Sequence, residues 1–149
     1  MPPRVPLLVS ACLLGKPCRY DGRAKPLPPE TLRRLEERYR LVPVCPEQDG
    51  GLPTPRVPAE RVGSRVLTRE GRDVTAAYQS GGLLALRTAR SAGCTLALLK
   101  ELSPSCGSGT IYDGSFTGGK VPGNGTTTEL LLSHGLTVVG ESQVERLLG

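Results

Sequence analysis

Five cysteines stand at positions 12, 18, 45, 94 and 106, and the chain carries a single histidine, His134. Thiolates bind soft metals and iron–sulfur clusters, whereas the scarcity of imidazole argues against a Cys/His zinc site. No C-x-x-C pair occurs, which counts against a zinc knuckle and against a thioredoxin-type dithiol. An odd number of cysteines without a secretory leader pattern reads as metal-binding or reactive, not as a disulfide framework. The apolar run over residues 5–9 is too short for a signal core and is broken by Pro6. No stretch reaches membrane-spanning length. These features predict a cytoplasmic protein with no membrane partner.

Three cysteines follow short apolar runs. Cys12 follows residues 7–11, Cys45 follows residues 41–44, and Cys106 lies seven residues beyond Leu99, which closes the run over 95–99. If these runs are parallel strands, all three thiols emerge at the carboxyl edge of the sheet, where open α/β sheets bind ligands. Three such thiolates can hold a cubane cluster and leave one iron open to a soft sulfur ligand. Cys18 reads either as a fourth ligand or as a pocket thiol. Cys94 precedes the third run, at the opposite end, and reads as a small buried apolar residue. His134, near a helix end, reads as surface or cap. The segment Ser103-Pro104-Ser105-Cys106-Gly107-Ser108-Gly109 offers backbone N–H groups and hydroxyls, and Gly50-Gly51 and Gly118-Gly119 add backbone access. Such donors stabilise thiolates and sulfides. Arg19, Asp21, Arg56 and Glu60 read as a structural ion-pair network around the loops, in which Arg19 or Arg56 could also offset cluster charge.

The elements that must position these groups follow from periodicity. A helix opens at Pro28-Pro29-Glu30 and runs to about Arg38, with Leu32 and Leu35 on one face. Residues 46–60 read as loop, because Gly50-Gly51, Pro53, Pro55 and Pro58 interrupt regular structure. Residues 62–68 suit a short strand or hairpin. Asp73 is placed to cap a long helix ending near Gly93, and Gly81-Gly82 inside it implies close packing against a neighbour at some cost in helix propensity. Residues 103–125 read as a Gly- and Ser-rich loop. Thr126 with Glu129, and Ser142 with Glu145, have capping-box spacing before two further helices, with an apolar run over 136–139 between them. Runs alternating with helices predict an α/β fold: a Rossmann-like open parallel sheet of four to five strands with helices on both faces. The 149 residues suit a single domain spanning 1–149. The net charge of +5 includes a cluster at Arg33, Arg34, Arg38 and Arg40. It reads as a solvated helix face, since aromatics for stacking nucleic acid are only 3% of the chain.

Seven segments occur in order: Ser10-Ala11-Cys12-Leu13-Leu14-Gly15, Cys18-Arg19-Tyr20-Asp21-Gly22, Cys45-Pro46-Glu47, Gly50-Gly51-Leu52-Pro53-Thr54-Pro55-Arg56, Gly71-Arg72-Asp73-Val74-Thr75, Ser103-Pro104-Ser105-Cys106-Gly107 and Ile111-Tyr112-Asp113-Gly114-Ser115-Phe116. Each is weak alone. As an ordered set over essentially the whole chain they resemble the 2-thiouracil desulfidase family. The resemblance implies a [4Fe-4S] cluster on Cys12, Cys45 and Cys106, with catalysis assigned to Glu47 and Ser103. It implies hydrolytic removal of sulfur from a thiolated nucleobase, giving uracil and hydrogen sulfide. Glu47 would carry the proton of the attacking water and Ser103 would orient substrate or water. Both residues also have plain structural readings, Glu47 as a polar loop residue capping a helix or pairing with an arginine and Ser103 as a turn stabiliser before Pro104. The small size and the absence of an RNA-binding appendage favour a small-molecule substrate over thiolated tRNA. Two other classes remain open: an iron–sulfur or sulfide-binding protein without turnover, and a cluster-free cysteine hydrolase using Cys106. The latter has no histidine base nearby.

Overall fold

In the computed structural model, which describes residues 4–148, strand β1 (Val5–Ser10) is buried on both sides. Leu7 and Val9 pack on one face and Leu8 on the other, the period-two alternation of a central strand. The main sheet also contains β2 (Tyr39–Val44), β5 (Leu96–Leu99) and β8 (Thr137–Gly140). Its order is β2-β1-β5-β8 and every pairing is parallel. Leu35 of α1 (Pro29–Arg38) and Leu147 and Leu148 of α5 (Glu145–Leu148) cover the Leu7 face. Ala85, Leu86 and Ala89 of α3 (Thr75–Ala92) and Leu131 of α4 (Thr126–Ser133) cover the Leu8 face. This is the open parallel sheet with helices on both faces that the sequence predicts. From β1 the chain passes to β2 on one side and later to β5 on the other. The strand order therefore reverses at β1, and a crevice opens beyond its carboxyl end. The expectation for the first residues of the chain lies, for residues 1–3, outside the described part.

Two segments expected to be loop contain short elements. A one-turn helix, α2 (Pro46–Asp49), starts directly after Cys45, and a hairpin of β3 (Ala59–Val62) and β4 (Arg65–Thr68) begins inside the first segment. The second segment holds an antiparallel pair, β6 (Thr110–Tyr112) and β7 (Lys120–Pro122). Glycine and proline exclude long elements but not a single turn or a three-residue strand, and Pro46 suits the first helical position.

Neither capping box forms. The first amides of α4 are met by backbone carbonyls, Thr126 N–H by Pro104 O at 2.8 Å and Thr127 N–H by Ser105 O at 2.9 Å. The Thr126 hydroxyl is left without a partner and Glu129 pairs with Arg61 instead. Tertiary contact has supplied the acceptors that the side chains would otherwise provide. Ser142 likewise turns to Glu101, its hydroxyl donating at 2.8 Å, while Glu145 reaches Arg34. Asp73 stands one residue before the cap position, which Val74 occupies without a side-chain bond, and its Oδ1 accepts the Thr75 N–H at 2.9 Å.

The Gly81-Gly82 pair is the notch the sequence suggests. A Cβ on Gly81 would overlap the Pro46 carbonyl of α2, and one on Gly82 would meet the Thr127 hydroxyl of α4 at 3.4 Å. Helix α3 thus seats two neighbours side by side. Gly81→Ala is expected to destabilise the fold by about 1–3 kcal/mol through overpacking. At an open helical position the same change stabilises by up to about 1 kcal/mol. A urea titration decides: a midpoint at or above the wild type would rule the close approach out.

Candidate functional site

Each proposed side chain owes its place to a strand end. After β1 the chain enters a 3-10 turn, Ala11–Leu14, which carries buried Cys12. After β2, Cys45 occupies the position just before α2, so Glu47 lies in the first turn of a helix seated on α3. After β5, the chain turns through Leu102 and Ser103 to Cys106, on the loop that caps α4. The Thr128 hydroxyl donates to Cys106 O at 2.8 Å, and Ser105 and Thr127 share a hydrogen bond of 2.8 Å. These contacts fix the Cys106 loop to the helix behind it.

Cys12, Cys18, Cys45 and Cys106 all line one cavity of about 500 Å³, together with Glu47 and Ser103. That volume lies in the usual range for small-ligand sites. Cys18, only 2% exposed, reaches in from the loop after the 3-10 turn and adjoins both Cys12 and Cys45. Cys94 is buried in the core at the other end of β5, away from this cavity. His134 follows α4 and hydrogen-bonds exposed Arg90 at 2.8 Å.

The thiols crowd one another. Cys45 is pushed well above the ordinary thiol range, first by its contact with Cys18 and then by burial. Cys18 is raised first by its contact with Cys12. Burial pushes Cys106 up to about 12, with the Ser10 hydroxyl pulling the other way. Neighbouring thiolates repel in a dry pocket, and a cationic centre among them reverses that balance by binding the deprotonated form. Among the described residues no group of three His, Cys, Asp or Glu side chains is tight enough to hold one metal ion. A cluster asks for a looser arrangement, because each thiolate binds a different iron. A donor set of thiols alone, facing a shared cavity, fits an iron–sulfur cluster and does not fit a compact zinc site.

Glu47 is fixed on both carboxylate oxygens. Arg56 forms a largely buried ion pair with Oε2, its Nε donating at 3.1 Å, and the Ser103 hydroxyl donates to Oε1 at 3.0 Å. Arg56 is itself tied to the carbonyls of Pro53 and Cys18, at 3.1 and 3.2 Å. The Ser103 hydroxyl also accepts the N–H groups of Ser105 at 3.0 Å and Cys106 at 3.2 Å. One oxygen therefore couples the carboxylate to the cysteine loop. Both structural readings of these residues are realised in the geometry, and both place them on the cavity wall.

Two expectations about the surroundings change. Four of the loop amides near Cys106 are not open donors. Ser105, Cys106 and Gly107 N–H groups bond to Ser103, and Gly109 N–H bonds to Asn124 Oδ1 at 2.8 Å. The Gly50 and Gly51 amides are likewise taken, by Pro46 O and Gln48 O. The backbone uses these donors to hold its own turns. The expected network of Arg19, Asp21, Arg56 and Glu60 separates into parts. Arg19 and Asp21 pair at 3.8 Å, Arg56 serves Glu47, and Glu60 accepts backbone N–H groups. Tyr78 of α3, also on the cavity wall, was not legible in the sequence, since a tyrosine on an amphipathic helix reads as core. Burial raises its hydroxyl well above the ordinary range, and the Glu47 charge beside it adds to that.

A model of the family described as 2-thiouracil desulfurase matches residues 7–143. An uncharacterized protein of Bacillus subtilis (strain 168), YbbK, is 40% identical, with 95% of this chain and 99% of that protein covered. A solved structure described as a [4Fe-4S]-dependent thiouracil desulfidase, TudS, superposes with a TM-score of 0.92 at 50% identity. It covers 97% of this chain and 95% of its own.

Proposed function

This chain belongs to the 2-thiouracil desulfurase family, and from that membership we propose that it is a [4Fe-4S]-dependent enzyme converting a thiolated nucleobase such as 2-thiouracil, with water, to uracil and hydrogen sulfide. The observation that carries the reading is a carboxylate clamped by Arg56 and Ser103 on the wall of a cavity also lined by Cys12, Cys45 and Cys106. Those three cysteines would hold the cluster. When bound, it would supply Lewis-acid polarisation of the substrate's thiocarbonyl group. The overall change replaces C=S by C=O and needs no oxidant or reductant.

The chain's own residues supply the proton handling. Glu47 takes a proton from the attacking water and delivers it to the departing sulfur, so that the new C–O bond replaces the broken C–S bond and the ring nitrogens end as they began. Arg56 keeps the carboxylate aimed across the cavity. Ser103, whose hydroxyl proton is directed at Glu47 Oε1, positions that carboxylate relative to the Cys106 loop and orients the substrate when it enters. Cys18 forms part of the thiol wall. A cavity of about 500 Å³ suits a free base or nucleoside better than thiolated tRNA. No helix among the described residues is long and apolar enough to cross a membrane, and the five free cysteines suit the reducing cytoplasm.

Anaerobic reconstitution with iron and sulfide, followed by sulfide release from 2-thiouracil, tests this reading. The expected result is a coloured protein that liberates one sulfide per uracil formed. Full activity in colourless, aerobically purified protein would point to a cysteine hydrolase. A loaded protein that binds sulfide without turnover would point to a carrier.

A further inference from the structure

Phe116 is the only phenylalanine in the chain, yet it belongs to neither hydrophobic core. It sits between β6 and β7, half-buried, on the wall of the thiol-lined cavity. Its backbone has φ of 58°, a left-handed conformation uncommon for any non-glycine residue and an outlier for a bulky one. The surrounding run Asp113-Gly114-Ser115-Phe116-Thr117-Gly118-Gly119 is rich in the residue that adopts this conformation freely.

The strained turn is held from outside. Glu60 of β3, only 9% exposed, accepts the Gly114 N–H at 2.9 Å and the Phe116 N–H at 3.2 Å through one oxygen. The Arg69 guanidinium, from the turn after β4, lies 5.5 Å from the ring centroid, within cation–π range. A buried carboxylate and a stacked cation, both from the β3–β4 hairpin, thus fix an aromatic ring that the core does not use. Strain of this kind persists where the surroundings over-determine it, and it clusters at ligand sites. Tyr112 and Tyr20 also reach the cavity. Neither has a left-handed backbone, and Tyr20 is 42% exposed.

We propose that Phe116 is the stacking platform for the substrate's ring, so that the site selects planar heteroaromatic thiocarbonyl compounds over aliphatic ones. The proposal rests on the desulfidase reading for its substrate. Its physical content is the face-on binding of a base, and that can be measured without turnover. A flat base gains contact with the ring on its π-face, whatever its edge substituents, so the ring supplies affinity and orientation while Glu47 and the thiols supply chemistry.

The test compares wild type with Phe116→Leu, Phe116→Gly and Phe116→Tyr. Uracil, the expected product, is titrated into each by calorimetry. Each reconstituted protein is then assayed with 2-thiouracil and with thiourea, alongside iron content and thermal midpoint. Phe116→Leu is expected to weaken uracil binding and to raise KM for 2-thiouracil by about tenfold or more, far more than it moves kcat. The effect on thiourea should be several-fold smaller, and Phe116→Tyr should restore most of the loss. Phe116→Gly should lose affinity similarly while its midpoint stays level or rises, because glycine relieves the backbone. Equal losses for both thiocarbonyl compounds, or unchanged uracil binding in Phe116→Leu, would overturn the platform. If wild type binds uracil through Phe116 but releases no sulfide, the desulfidase reading fails and the platform stands. Wild type that binds no base at all overturns the platform.

Discussion

Glu47→Gln is expected to lower the rate of sulfide release by about 10²- to 10⁴-fold, the usual contribution of a positioned general acid–base group. Glutamine keeps the length of the side chain and can still accept the Ser103 hydrogen bond. It cannot take a proton from water. The substitution also removes the counter-charge of Arg56, whose side chain is 6% exposed. Breaking a buried pair by neutralising one partner commonly costs about 3–5 kcal/mol. The hydrogen bonds that Arg56 keeps to Pro53 O and Cys18 O should hold the loss toward or below the lower end. Arg56→Ala separates the two effects. It should share the stability loss, since the Glu47 side chain, 13% exposed in the intact protein, loses its ion pair. It retains the carboxylate proposed to carry the proton, so its rate should fall less. Single-turnover rates on reconstituted protein, set beside denaturation midpoints, give the comparison. If Glu47→Gln turns over as fast as wild type, the proton has another route.

The second large effect concerns the thiols. Alanine at Cys12, Cys45 or Cys106 is expected to cut affinity for the cluster by more than about 100-fold, since outer-shell partners alone are commonly worth 10–100-fold. Cys94→Ala, made at a buried site away from the cavity, should keep its full complement of iron. The folds should survive, because removing one sulfur from a partly collapsible site costs only on the order of 1 kcal/mol. Iron and labile-sulfide content after anaerobic reconstitution, with circular dichroism as the check on folding, reads this directly. Cys18→Ala is the informative fourth member. Its thiol adjoins Cys12 and Cys45. A three-cysteine site predicts that the variant retains the cluster, while a loss equal to that of Cys12→Ala would make Cys18 a ligand. Full cluster retention by Cys12→Ala would dismiss the assignment.

Much of this architecture was legible in local pattern. Apolar runs ending at Cys12 and Cys45, with a third run ahead of Cys106, identified parallel strands and the edge at which the thiols gather, because strand direction and strand-end loops follow from local pattern. Gly81-Gly82 announced a close helix approach, because only a missing Cβ permits one. What the sequence could not carry were contacts between segments distant in the chain. Capping boxes at Thr126 and Ser142 looked sound by spacing, yet Pro104, Ser105 and Glu101 supplied the partners instead. Loop amides looked free until Ser103 and Asn124 engaged them. Arg56 could be assigned to an ion-pair network but not to Glu47, and Tyr78 and Phe116 gave no sign of facing the same cavity. A side chain's partner is whichever complementary group the packed fold brings within about 3 Å. Local pattern reports where an element begins and which face it buries, and only the folded chain decides which groups meet across it.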